Sequence, residues 1–98
     1  MQRDLTPADL GASASEFTEL RGTVKVADGL MTVRVEMIRG EIRNPFRVMQ
    51  TLKDVARIAG AHRVVLEGNI ANERLLKVIS RYHAKTVRGI ERIQLIVP

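Results

Sequence analysis

The sequence predicts an α/β fold of the α+β type, in which two helices pack on a mixed sheet of four to five strands. Apolar and polar residues alternate on both sides of Asp28-Gly29, a pattern typical of a β-hairpin. After the hairpin come two segments with apolar residues at spacings of three and four. Each of these is followed by a short apolar run, as expected of a helix and the strand after it. The predicted order is therefore β-β-α-β-α-β.

The elements follow from local signals. Strands are predicted over residues 23–26, 31–38, 63–67 and 93–97, and helices over residues 45–59 and 72–82. In the second strand Met31, Val33, Val35 and Met37 alternate with polar residues and should share the packed face. Asn44 is placed to cap the first helix, which begins at Pro45. Both strand–helix–strand connections should join parallel neighbours.

The chain length of 98 residues allows one domain. Residues 1–15 are small and polar and are predicted to form a flexible leader, which leaves residues 16–98 as a single α/β domain. Both helices should cover one face of the sheet, with the leader or a partner chain over the other. Ile58 and Val78 lie off their helix stripes and are predicted to be exposed apolar residues, which makes a homodimer one candidate assembly.

The composition excludes several classes of protein. The chain has no cysteine, so a disulfide scaffold, a thiol nucleophile and a cysteine-ligated metal are excluded, and two histidines give no case for a metal site. No apolar run approaches the ~20 residues that cross a bilayer, so no membrane partner is predicted. We expect a cytoplasmic site of action, although a fragment delivered from a larger secreted bacterial protein would have the same composition.

Charge gives the first functional indication. The net charge is +5, and 12 of the 16 basic residues are arginine. Residues 1–20 carry one base and four acids, so residues 21–98 carry 15 bases and 7 acids. Because arginine binds phosphate in two-point fashion, nucleic acid, another phosphorylated ligand and an acidic protein are the candidate partners.

The candidate anion site lies around the start of the first helix. Arg39, Arg43 and Arg47 are spaced by four residues there, and the free amides of a helix N-terminus attract anions. The alternative is a solvated basic turn. Asn72, at the start of the second helix, and Arg81, near its end, are further candidates for anion binding.

Three residues are candidates for proton transfer. Glu67 ends the third strand and Glu73 begins the second helix, so both are expected at the carboxyl edge of the sheet, where α/β proteins tend to bind ligands. His83 lies within Arg81-Tyr82-His83-Ala84-Lys85, where a histidine, a tyrosine and basic residues together could cleave RNA. Each has a structural alternative: a strand-end charge for Glu67, and favourable interactions with a helix dipole for Glu73 and His83.

Residues 30–98 resemble the second half of the GNAT acetyltransferase superfamily. The resemblance is carried by the helix ending in Ile-Ala-Gly-Ala-His-Arg, by Val-Val-Leu-Glu-Gly-Asn-Ile-Ala-Asn-Glu-Arg-Leu-Leu and by Arg-Tyr-His-Ala-Lys-Thr-Val. It implies an acetyl-coenzyme A pyrophosphate bound by backbone amides at residues 39–47, and it matches Asn72 to the family's asparagine. The paired glycines of the family loop are missing, Pro45 stands within it, and Ile79 replaces the usual tyrosine.

A second resemblance is to small C-terminal modules of bacterial Rhs and other polymorphic toxin proteins. It is carried by short motifs such as Met37-Ile38-Arg39-Gly40, Asn44-Pro45-Phe46 and Arg81-Tyr82. It implies a biological setting rather than a reaction. Such modules are often toxins delivered to a neighbouring cell, and many of them act on nucleic acid and are held inactive by an immunity protein.

The sequence therefore supports three candidate functions. The first is a small basic toxin or effector domain that binds or acts on nucleic acid or another phosphorylated partner, without a cofactor. The second is a GNAT-like N-acetyltransferase that uses acetyl-coenzyme A. The third is a non-enzymatic interaction or dimerisation domain.

Overall fold

The computed structural model describes residues 1–68, 73–81, 85–87 and 90–96, and it has the predicted α+β class with a mixed sheet. The strands are β1 (Gln2–Asp4), β2 (Phe17–Ala27), β3 (Leu30–Gly40), β4 (Arg63–Gly68), β5 (Lys85–Val87) and β6 (Ile90–Ile96). The helices are α1 (Pro45–Ile58) and α2 (Glu73–Ser80), and 3-10 turns span Pro7–Leu10 and Ala14–Glu16. The strands lie side by side in the order β1-β2-β3-β4-β6-β5.

The hairpin of β2 and β3 turns where the sequence predicts. Asp28 and Gly29 take φ angles of 53° and 75°, the left-handed conformations that a tight hairpin turn requires. Both strands have 11 residues: β2 begins six residues before the predicted 23–26, whereas β3 exceeds the predicted 31–38 by only one residue at its start and two at its end.

A β-bulge at Glu36 changes the alternation within β3. Arg21 pairs with Met37 and Gly22 pairs with Val35, so Glu36 is an extra residue on its strand. Because one extra residue exchanges the two faces, Ile38 is buried at 1% exposure while Met37 is only partly buried. The prediction that Met37 shares the packed face with Val35 is wrong for this reason.

Helix α1 begins and packs as predicted. The Asn44 side chain accepts a hydrogen bond from the Arg47 amide, and Pro45 is the first helical residue. The apolar stripe buries Val48, Met49, Leu52 and Ala56 against the sheet. The helix ends at Ile58, which is 88% exposed, as its position off the stripe predicts.

The sheet has six strands, of which β2, β3, β4 and β6 match the predicted ones. Strands β1 and β5 are not predicted, because they are only three residues long and carry no periodic signal. Strand β4 lies between β3 and β6. It runs parallel to β3, as predicted for the connection through α1, but antiparallel to β6. The predicted parallel neighbour after α2 is wrong, because β5 precedes β6 and the chain turns back to place β6 beside β4.

The first 15 residues are built into the domain. Strand β1 pairs with β2, and Leu5 and Leu10 belong to the same hydrophobic core as β3 and α1. Arg3 and Asp9 form an ion pair of 2.6 Å, and Asp9 is buried. The 3-10 turn that carries Leu10 contacts α1, so this segment packs on the helical side of the sheet rather than over the opposite face.

Helices α1 and α2 contact each other on this same side. Leu75 and Val78 of α2 are buried in the common core, so the prediction that Val78 is exposed is wrong. The apolar stripe of each helix does not indicate that the two helices pack against each other. No helix in the described part of the chain is long and apolar enough to span a membrane.

Candidate anion-binding cleft

The residues that precede α1, its first turn and one side of α2 enclose a cleft of about 340 Å³, which we call the basic cleft. Two elements supply its cations: Arg43 comes from the β3–α1 loop, whereas Arg74, Lys77 and Arg81 come from α2 and the residue after it. The remaining lining residues are Asn44, Pro45, Phe46 and Val78. None of these lining residues, all within the described ranges, is acidic.

The cations of α2 reach the cleft because of their spacing. Arg74, Lys77 and Arg81 stand at positions i, i+3 and i+7, so they form one row along the helix. Among them, only Arg81 is a predicted anion-binding residue. The basic row beside the apolar stripe is present in the sequence, but without the helix packing nothing indicates that this row faces the start of α1.

The floor of the basic cleft is apolar. Phe46, in the first turn of α1, remains 55% exposed, while Pro45 and Val78 beside it are buried. The guanidinium carbon of Arg81 lies 5.0 Å from the centre of the Phe46 ring, which is a cation–π contact between the two sides of the cleft. A cationic rim over an apolar, partly aromatic floor suits a ligand that has both an anionic and a planar apolar part.

Glu16 holds the loop that presents Arg43. One carboxylate oxygen accepts the Arg43 amide at 2.8 Å and the other accepts the Ser13 amide at 2.6 Å. The Glu16 carbonyl accepts the Glu41 amide at 2.9 Å. These bonds to the Arg43 and Ser13 amides hold the pKa of the Glu16 carboxyl below its usual range.

Gly40 permits the Glu16 backbone to approach the end of β3 closely. It has a φ of 135°, and a Cβ atom there would lie 2.1 Å from the Glu16 carbonyl oxygen. No local pattern in the sequence indicates the hydrogen bond between Glu16 and the Arg43 amide, since the two residues are 27 positions apart.

Two backbone amides at this end of α1 are already engaged, and a third residue has none to offer. Pro45 has no amide proton, Arg47 donates to Asn44, and Arg43 donates to Glu16. Among the first three helical residues in the structure, this leaves the amide of Phe46. The loop therefore offers side-chain cations to an anion rather than the row of amides that the GNAT resemblance implies.

The three arginines predicted to act together lie in different surroundings. Arg43 lines the basic cleft. Arg39 lies on the β2–β3 ribbon, 3.7 Å from the Glu19 carboxylate, and its Nε donates to the Met37 sulfur at 3.4 Å. Arg47 lies beside Gly11 and is not among the residues that line the cleft. A spacing of four places residues on one face only within a helix, and Arg39 lies in a strand.

The predicted proton-transfer residues are not brought to the cleft as a group. Glu67 alternates with the core residue Leu66 along β4, so its side chain lies on the opposite face of the sheet, where Arg34 pairs with it at 3.0 Å. Glu73 is the first residue of α2. Asn72 and His83 lie outside the described residues. Within those residues, no three His, Asp or Glu side chains come together in a group that could hold a metal ion.

Comparisons with known proteins do not assign the chain to a family. No family model matches it, and neither a curated protein nor a solved structure is significantly similar to it. A proposal about function therefore depends on the geometry of the basic cleft.

Proposed function

We propose that this chain binds a phosphorylated ligand, such as nucleic acid, in the basic cleft. The observation that carries the proposal is the convergence of Arg43, Arg74, Lys77 and Arg81 on one cleft whose lining holds no acid among the described residues. Arginine is favoured for this role because its planar fork matches two phosphate oxygens and stays charged at every physiological pH.

The arrangement keeps the arginines available to a ligand. Arg74 donates to the Arg43 carbonyl at 3.4 Å, which orients its guanidinium across the cleft and uses only part of its hydrogen-bonding capacity. Both Arg74 and Arg81 are exposed. Glu16 accepts the Arg43 backbone amide and its charge also attracts the Arg43 side chain, which lines the cleft.

Binding to labelled oligonucleotides at several salt concentrations tests the proposal. The double variant Arg43→Gln with Arg74→Gln removes one cation from each side of the cleft. We expect weaker binding, together with a salt slope that is smaller by roughly 0.7–0.9 for each phosphate that the variant no longer neutralises.

The matched control is Arg57→Gln with Lys25→Gln, which removes the same charge elsewhere. Arg57 pairs with Asp54 in the last turn of α1, and Lys25 lies in β2, so neither lines the cleft. Equal affinities and slopes for the two double variants would show that binding follows net charge alone, and would overturn the proposal.

Acetyl-coenzyme A is the second candidate ligand, because the resemblance places its pyrophosphate at residues 39–47 and Arg43 of that segment lines the cleft. The side chains suit its phosphates, whereas the engaged amides of Arg43 and Arg47 do not suit an amide-bound pyrophosphate. A thermal shift compares the candidates: a ligand at 100 times its Kd raises stability by about 2.7 kcal/mol. Stabilisation by acetyl-coenzyme A and not by oligonucleotides would favour the acetyltransferase.

The toxin or effector setting is a proposal of its own, supported by the resemblance to polymorphic toxin modules. It includes a cytoplasmic site of action and an acidic immunity protein that would cover the cleft cations. Induced expression in bacteria, with growth and total RNA followed, tests it. If the cleft double variant restores growth and the control variant does not, the toxicity depends on the cleft.

The interaction-domain alternative predicts instead a dimeric mass in solution that Ile58→Ser reduces to the monomer.

A further inference from the structure

We infer that the ligand of the basic cleft is single-stranded nucleic acid, with one unpaired base stacked on the Phe46 ring and its phosphates held by the cations of α2. This inference rests on the proposed function and extends it from phosphate binding to a class of ligand. Three observations carry it: the exposed aromatic floor, the length of the basic row and the position of Arg81.

The aromatic floor suits a planar group. Phe46 is one of only two phenylalanines in the chain, and it keeps 55% of its surface exposed in the lining of a cationic cleft. Phosphate alone gains nothing from an apolar floor. A nucleobase stacks on such a ring regardless of its sequence, because every base has a π face. A base in a duplex has both faces covered by its neighbours, so only an unpaired base can use this floor.

The row of cations is longer than one phosphate group requires. Arg74 and Arg81 are seven residues apart on α2 and its end, which separates them by about 10 Å along the helix axis. Lys77 lies between them. A strand with successive phosphates can contact both arginines at the two ends of the row, whereas a mononucleotide contacts only part of it.

In the free protein, the Arg81 guanidinium lies over the Phe46 ring. The guanidinium carbon is 5.0 Å from the centre of the ring, in the place that a stacked base would take. A base that takes this place releases the guanidinium, whose donors can then bind the adjacent phosphate. The exchange replaces one cation–π contact by a stacked base and a charge-assisted hydrogen bond, so Arg81 serves both the free and the bound state.

The experiment compares four labelled probes of the cleft by fluorescence anisotropy. They are a thymidine hexanucleotide, an abasic strand with the same number of phosphates, a duplex of the same length and thymidine monophosphate. We expect the hexanucleotide to bind most tightly. We expect Phe46→Leu to weaken its binding about tenfold, the effect of removing one base–aromatic stack. The variant should not weaken binding of the abasic strand, because loss of the ring also releases Arg81 for phosphate. Because leucine keeps the floor apolar and Phe46 is half exposed, this variant should fold, and its melting temperature checks that.

The other results overturn one proposal or both. If the abasic strand or the duplex binds as tightly as the hexanucleotide, or if Phe46→Leu changes nothing, base stacking is wrong. The proposed phosphate site survives this result provided that Arg43→Gln with Arg74→Gln still weakens binding. If the monophosphate binds as tightly as the hexanucleotide, the single strand is the wrong ligand class. If no probe binds, or if Arg43→Gln with Arg74→Gln weakens the binding of none of them, both proposals fail.

Discussion

Glu16 connects the first part of the chain with the basic cleft, since its carboxylate accepts the Arg43 amide at 2.8 Å and the Ser13 amide at 2.6 Å. Both bonds favour the ionised form, so the pKa of Glu16 is lower in the folded protein than in the unfolded chain. A group with a lowered pKa stabilises the fold fully above its unfolded pKa, near 4.3 for glutamate, and loses this contribution as the pH falls through its folded pKa.

Glu16→Gln should therefore lower the melting temperature at pH 7, because glutamine is neutral and accepts the two amides more weakly. The difference between the native protein and the variant should shrink as the pH falls from about 5 towards 3. Thermal unfolding of both proteins across this range measures it. The ionisable groups shared by the two proteins, including the buried Asp9, cancel in the comparison. A difference that stays constant down to pH 3 would contradict the prediction.

Single residues are predictable from sequence where their partners are local. Asn44 caps α1 three residues before Arg47, and Asp28-Gly29 forms its turn from the two residues themselves. Arg74 and Lys77 are not predictable in this way, because their place in the cleft depends on a contact between helices and not on the sequence around them. The grouping of Arg39 with Arg43 is wrong because the chain passes from a strand to a loop between them.

Elements show the same division between local and distant causes. The stripe of α1 and the alternation of β3 up to Val35 are local patterns, and the structure confirms both. The bulge at Glu36 is defined by the partner strand, because it arises where Arg21 and Gly22 pair with residues two apart. Alternation alone cannot show it, so the pattern predicts Met37 rather than Ile38 in the core.

Alanine substitutions test this bulge. Ile38 is 1% exposed within the common core, so Ile38→Ala should cost about 2–5 kcal/mol of unfolding free energy. Met37 is only partly buried and lies outside this core cluster, so Met37→Ala should cost clearly less. Denaturant unfolding measures both values. An uninterrupted strand would reverse the order, and equal or reversed losses would show that β3 is not bulged at Glu36.

The whole molecule joins its acidic beginning to its basic remainder through a shared core. The first 20 residues hold four of the chain's 11 acids. Residues 1–15 of this stretch, predicted to be a flexible leader, pack into the domain. Leu5 and Leu10 of this segment enter the core, and the Arg3–Asp9 ion pair of 2.6 Å fixes the turn between them. Two apolar residues in a polar segment show no periodicity, so this packing has no signature in the sequence.

Removal of residues 1–11 should therefore destabilise the domain rather than trim it. The truncation exposes the core surface under Leu5 and Leu10, and full burial of a leucine contributes about 1.5–3 kcal/mol. It also removes the β1–β2 pairing. The expected loss is a large share of the roughly 5–15 kcal/mol that stabilise a typical domain. Denaturant unfolding should show a lower midpoint, together with a smaller dependence on denaturant because less surface is buried. Leu10→Ala keeps the full length and separates the two causes, with an expected loss of about 2–5 kcal/mol from the cavity alone. If the truncated chain unfolds at the same midpoint as the full chain, residues 1–11 contribute no stability, and the core begins at the hairpin.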